Sequence, residues 1–177
     1  MTPLEIFSRL SDHMLKGLMI HEQLADYYSF LDMRGFADEH ERRYREESDN
    51  YRSLKRFAMD HYNMLIAGSS VETPKIIPST WFKYTRYDVD ISTKRNAIEN
   101  GFKEWRDWES KTRSFYEEHY KELMAINEIS ACLFLEDFIK DVNEELHEID
   151  KQILELKAID YDLSEILEIN NRIKNSK

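Results

Sequence analysis

An all-α fold is what this sequence predicts: four long helices, a long crossover between the second and third, and a short fifth helix. Three observations carry the prediction. Four long stretches repeat apolar side chains at three- and four-residue spacing, the period of one helix face. Glycine and proline are scarce, 4 and 3 in 177 residues, which disfavours a turn-rich β protein. Charged residues make up 34% of the chain, as long helices with solvated outer faces require.

The first helix begins at Pro3. Thr2-Pro3-Leu4-Glu5 reads as a capping box, with Thr2 as N-cap and Glu5 reaching back to it. Its stripe is Phe7, Leu10, Met14, Leu18, His21, Ala25 and Tyr28, and Gly35 is expected to end it. The second helix spans 36–66, with the stripe Phe36, His40, Tyr44, Glu47, Tyr51, Leu54, Ala58, His61 and Leu65. Ala67-Gly68-Ser69-Ser70 stops it. So tight a join between the first two helices predicts an antiparallel hairpin.

The irregular segment over about 68–90 holds Pro74, Pro78, Trp81, Phe82, Tyr84 and Tyr87. It is long enough to return the chain along a helix of about 45 Å at 1.5 Å per residue. We read it as a crossover packed down by its aromatics. The third helix covers 92–126, with Ile98, Phe102, Trp105, Glu109, Thr112, Tyr116, His119 and Leu123 on its stripe and Trp108 and Phe115 at the edge. The fourth covers 130–159, where Leu135, Ile139, Val142, Leu146, Ile149, Ile153 and Leu156 form a heptad seam. Asp162-Leu163-Ser164-Glu165 caps a fifth helix over about 162–174. A central crossover makes the second and third helices parallel, an up-down-down-up bundle. The whole of 1–177 reads as one domain.

Composition excludes several functions. The net charge is −10, the opposite of a nucleic-acid footprint. Cys132 is the only cysteine, so neither an intrachain disulfide nor a thiolate zinc cluster can form. Its apolar neighbours mark it as a small core residue. No apolar run is long enough to span a membrane, and Met1–Leu10 has no signal-peptide pattern. A soluble, cytoplasmic protein is the expectation. No phosphate-binding glycine loop and no nucleophile–base pair can be read. Metal chemistry is therefore the only enzymatic reading.

That reading starts from polar residues set into apolar stripes, because a buried unpaired charge is costly. The strongest cluster is His21, Glu22 and Glu47: a hairpin turning near Arg34-Gly35 brings position 21 level with about 48. It is either a metal site or a His–Glu pair satisfied internally, with Tyr28 and Tyr51 hydroxyls nearby. His40 and His61, near opposite ends of the second helix, read as half-exposed structural histidines. Trp105 and Trp108 read as core or interface anchors.

The topology resembles the ferritin-like superfamily of ferritins, bacterioferritins and mini-ferritins, over about residues 15–170. The run Gly35-Phe36 through Tyr44-Arg45-Glu46-Glu47-Ser48-Asp49-Asn50 is similar to that family's second helix. Phe134-Leu135-Glu136-Asp137-Phe138-Ile139 through Glu144-Glu145-Leu146-His147-Glu148-Ile149-Asp150 is similar to its fourth. The resemblance implies a di-iron site built from a first-helix Glu, a second-helix Glu-x-x-His, a third-helix Glu and a fourth-helix Glu-x-x-His. Glu22 and Glu47 match the first two acidic positions, although Asn50 stands where the second-helix histidine is implied. Glu109 or Glu117 matches the third helix, with His119 nearby. Glu144 and His147 form a literal Glu-x-x-His on the fourth, yet by angular position Glu144 lies roughly opposite the leucine seam.

The resemblance thus implies a homo-oligomeric, non-haem iron-binding, iron-oxidising or storage protein, with Glu22, Glu47, Glu109, His119, Glu144 and His147 as candidate ligands. The alternative is a bundle without a working metal site that serves as an oligomeric structural or interaction module. A third reading is an adaptor that docks a partner helix along the crossover aromatics. No nucleic acid or membrane partner is expected.

Overall fold

The computed structural model describes residues 1–66, 71–72, 74–78, 85 and 87–175. They form five helices: α1 (Pro3–Phe30), α2 (Arg34–Tyr62), α3 (Ile91–Ala125), α4 (Ile129–Ala158) and α5 (Leu163–Asn175). Among the described residues there is no strand. The capping box at the start of α1 forms as expected, with Thr2 Oγ1 accepting from Glu5 N–H and the Glu5 carboxylate accepting from Thr2 N–H.

Two helix ends differ from expectation, and both follow from backbone conformation. The first turn of the hairpin is made by Asp32, at φ 64°, a left-handed conformation that Asp tolerates better than most residues. Gly35 does not end a helix; it sits buried in the first turn of α2. A side chain there would lie 1.9 Å from the Asn170 carbonyl oxygen of α5, so glycine is needed for close approach. Asn170 Oδ1 accepts from the Phe36 N–H at 3.1 Å and completes this joint. At its far end α2 stops at Tyr62 rather than residue 66, because Asn63 takes a left-handed φ of 53°. Leu65 is consequently 83% exposed. The expected stop at Ala67–Ser70 lies outside the described residues.

Ring contacts fix the helix directions. Phe36 meets Phe102, and His40 meets Trp105, so α2 and α3 run parallel. Tyr28 meets Phe102, while His13 stacks on Trp108 and Phe115, so α1 runs against α3. Trp105 reaches Glu145 and Tyr116 reaches Phe138, so α4 also runs against α3. This is the up-down-down-up order, with the crossover in the middle.

Among its described residues, the crossover is held by aliphatic side chains. Ile76, Ile77 and Val89 pack against the core, and the Gln23 amide donates to the Pro74 carbonyl and accepts from Ile76 N–H. Tyr87 is 88% exposed, which corrects the expectation for that residue. Trp81, Phe82 and Tyr84 lie outside the described residues.

Every residue of the predicted α3 stripe is buried. The α2 stripe is mixed: Tyr44 is 40% exposed and His61 is exposed, whereas Leu54 and Ala58 are fully buried. The apolar core divides into two clusters. One surrounds Tyr28, Phe36, Phe102, Trp105 and Ile149; the other surrounds Phe7, Met14, Leu54, Leu123 and Leu135. Between them lies a polar belt, and it contains the candidate site.

Candidate metal centre

The belt draws one residue from each long helix. His21 of α1, Glu47 of α2, Glu109 of α3 and Glu145 of α4 line one cavity of about 440 Å³. His21 and Glu109 are each 1% exposed. His21 Nε2 lies 3.5 Å from Glu109 Oε1, and ligand atoms of His21, Glu109 and Glu145 all fall within 4.8 Å of one another. On the other side of its ring, His21 Nδ1 shares a 3.1 Å hydrogen bond with His40 Nδ1. A proton donated from His21 through that bond leaves the Nε2 lone pair facing the cavity, the arrangement common to ligating histidines.

Neighbouring residues steer these groups. Trp105 Nε1 donates to Glu145 Oε1 at 3.0 Å. Arg43 Nη1 lies 3.3 Å from Glu145 Oε2. Gly17, one turn before His21, lies beside the acid on α2: a β-carbon at that position would make ordinary contact with Glu47 Cδ at 3.6 Å. His21 Nε2, Glu47 Oε2 and Glu109 Oε1 are buried without a hydrogen-bond partner.

Burial governs the electrostatics. It pushes the Glu109 carboxyl up to about 8. Glu145 is pushed up to about 7 by burial and by Glu109, against the pull of Arg43. Burial and the neighbouring Glu109 and Glu145 hold Glu47 well above the usual carboxylate range. The imidazoles move the other way: burial lowers His21 to about 4 and, together with His21, holds His40 well below its ordinary value. At neutral pH the histidines are therefore neutral and the site keeps protons on carboxyls that water would ionise. A bound cation reverses that preference. Oxygen and imidazole donors without thiolate suit a divalent first-row metal, and the unpartnered atoms give it places to bind, so the residues present fit such an ion.

No protein-family model and no curated protein sequence matches the chain. Solved structures do. A humanized archaeal ferritin matches with a TM-score of 0.81 at 13% identity, covering 97% of this chain and 94% of that one. An open-pore ferritin from the hyperthermophilic archaeon Archaeoglobus fulgidus matches with a TM-score of 0.80 at 16% identity, covering 97% and 95%. A PmFTN variant soaked in iron matches with a TM-score of 0.77 at 12% identity, covering 94% and 95%. The chain has a ferritin-like fold.

Within this ferritin-like bundle, three of the six residues anticipated from sequence line the cavity: Glu47 and Glu109 in its interior and Glu144 at its mouth. Glu22 is exposed, because it follows His21 by about 100° around the helix and His21 takes the inward place. His119 is buried but lies nearly three turns beyond Glu109, roughly 15 Å along α3; its Nδ1 is bonded to Glu122 Oε2 at 2.9 Å. Glu144 has a 68% exposed side chain and sits 3.8 Å from Lys140 Nζ, at the cavity mouth. His147 is exposed on the outer side of α4, as its angle to the leucine seam requires.

The inward acid of α4 is Glu145, three residues after buried Val142 and four before buried Ile149. That spacing is the signal the sequence carried, masked by the literal Glu-x-x-His beginning one residue earlier. His21 pairs with His40 and Glu109, not with Glu47. Tyrosines do not complete the cluster: Tyr28 Oη has no partner, and Tyr51 Oη accepts from Lys55. His40, expected half exposed, is 1% exposed. Cys132 is buried, and its thiol donates to the Tyr120 carbonyl at 3.8 Å. Among the described residues no helix is long and apolar enough to cross a membrane.

Proposed function

We propose that this protein is a ferritin-like iron-binding protein that takes up ferrous ion and oxidises or stores it. His21, Glu47 and Glu109 would hold the ion, with Glu145 beside them already engaged by Arg43 and Trp105, and iron supplies one-electron redox chemistry when bound. The observation that carries this reading is the set of buried, unpartnered ligand atoms, His21 Nε2, Glu47 Oε2 and Glu109 Oε1, brought from three helices to one cavity. Other buried atoms, such as Tyr28 Oη and His119 Nε2, also lack a hydrogen bond, each at a cost of about 1–3 kcal/mol; these three are set apart by facing one cavity together. The chain's own residues bind the ion, orient it through the His21–His40 bond, and release protons from Glu47 and Glu109 as it enters. Glu46, Asp49, Asp141, Glu144 and Glu148 line the mouth beside Arg42 and Arg43, which pair with Glu46 and Glu148; the excess of acids raises the local cation concentration.

The iron-soaked PmFTN structures with the same fold support the reading. We include homo-oligomeric assembly in the proposal, to be read by light scattering. The direct test is iron content of protein purified without chelator, with the rate of Fe²⁺ oxidation in air. Wild type is expected to carry iron and oxidise it. Glu109→Gln and Glu47→Ala are expected to lose both while keeping helical circular dichroism. Metal-free wild type that leaves added Fe²⁺ unoxidised overturns the proposal. It would leave the second reading, an oligomeric structural or interaction module, which Asn50 favours by replacing the implied histidine with a neutral amide.

A further inference from the structure

We infer that Arg43 is a built-in cation filling one half of the cavity, so that the site takes a single divalent ion per chain. The inference rests on the metal-binding reading above and concerns how many ions that site accepts. Its basis is which carboxylates are already committed. On α4 the pair turned toward α2 at i, i+3 spacing is Glu145 and Glu148. Arg43 holds both, with Nη1 at 3.3 Å from Glu145 Oε2 and Nη2 at 2.6 Å from Glu148 Oε2. Its Nε donates to Glu39 Oε1 at 3.2 Å, its Nη1 lies 3.6 Å from Glu46 Oε2, and its Cζ stands 5.9 Å from the Trp105 ring centroid. Four carboxylates and a ring face thus fix one guanidinium, whose side chain is 11% exposed.

A guanidinium cannot shed its charge in a protein, and its planar fork matches the carboxylates it spans. It therefore places a fixed positive charge between α2 and α4, on the carboxylates that a second cation there would need, and it repels one. On α2, the residue three after Glu47 is Asn50, a neutral amide that does little to compete for that ion. The other half of the cavity is open: His21 Nε2, Glu109 Oε1 and Glu47 Oε2 make no hydrogen bond, the first two facing each other at 3.5 Å.

Metal-free protein titrated with Co²⁺, followed by calorimetry and by the visible absorption of the bound ion, tests this. One equivalent per chain is expected for wild type. Two are expected for Arg43→Gln, which frees Glu145 and Glu148, and for Arg43→Leu, which also keeps apolar contact with Trp105. Two equivalents in wild type overturn the inference while leaving metal binding intact, and this count needs no variant to fold. One equivalent in folded Arg43→Gln overturns it equally. No Co²⁺ bound by wild type overturns the metal-binding reading and the inference with it.

Discussion

Glu109 shows what a buried acid costs the metal-free bundle. Its carboxyl stands at about 8 in the folded chain against 4.5 ordinarily. The folded state therefore holds a proton that the unfolded chain releases, and stability falls as pH rises between those values. Glu145 and Glu47 act in the same direction. Histidine burial has the opposite slope: His13 and His21, lowered to about 4 from 6.5, remove stability as pH falls through that window. Above about pH 6.5 only the carboxyls act. Urea unfolding of metal-free protein should therefore show stability declining from pH 6.5 to 8, Glu109 contributing up to about 2 kcal/mol at 1.36 kcal/mol per unit. Glu109→Gln should flatten that decline and be the more stable protein at pH 8. An unchanged slope in the variant would mean that Glu109 ionises freely.

At the scale of the element, the two glycines near the hairpin make opposite predictions. Gly17 is helical, and a β-carbon there would meet Trp108 at 3.5 Å and Glu47 at 3.6 Å, ordinary contact distances. Gly17→Ala should raise stability by about 0.5–1 kcal/mol through helix propensity. Gly35→Ala would drive a methyl group into the α5 backbone. It should cost about 1–3 kcal/mol, as overpacking does, and release α5, with faster amide exchange over 163–175. Thermal melts of the two variants should move in opposite directions. Equal shifts would argue that α5 adjusts freely on α2.

For the whole molecule, the polar belt between two apolar clusters links folding to ligand binding. An ion that binds only the folded bundle stabilises it by mass action, about 2.7 kcal/mol at a hundredfold excess over Kd. Tm should therefore rise with Fe²⁺ under anaerobic conditions, or with Co²⁺, and the rise should vanish in Glu109→Gln. Because burial keeps protons on Glu109 and Glu47 near neutrality, binding must displace them. Affinity should weaken as pH falls below about 8. Calorimetry in buffers of different ionisation enthalpy should show proton release; buffer-independent heats would contradict the protonated resting site.

Helix number and order were determined by the sequence alone, because apolar spacing is a local signal that survives without tertiary contacts, and direction followed from the tight joins and the one long crossover: the capping box at Thr2, the α3 stripe and the seam on α4 all stand where the sequence put them. Glu47 and Glu109 were legible for the same reason, as acids on an apolar stripe. Tertiary structure decided the rest. A rotation of about 100° separates Glu22 from His21 and Glu144 from Glu145, and only packing against neighbouring helices sets which of each pair faces inward. The burial of His40 and the capture of Arg43 by carboxylates from two helices arise between elements, where no single stretch of sequence carries the information.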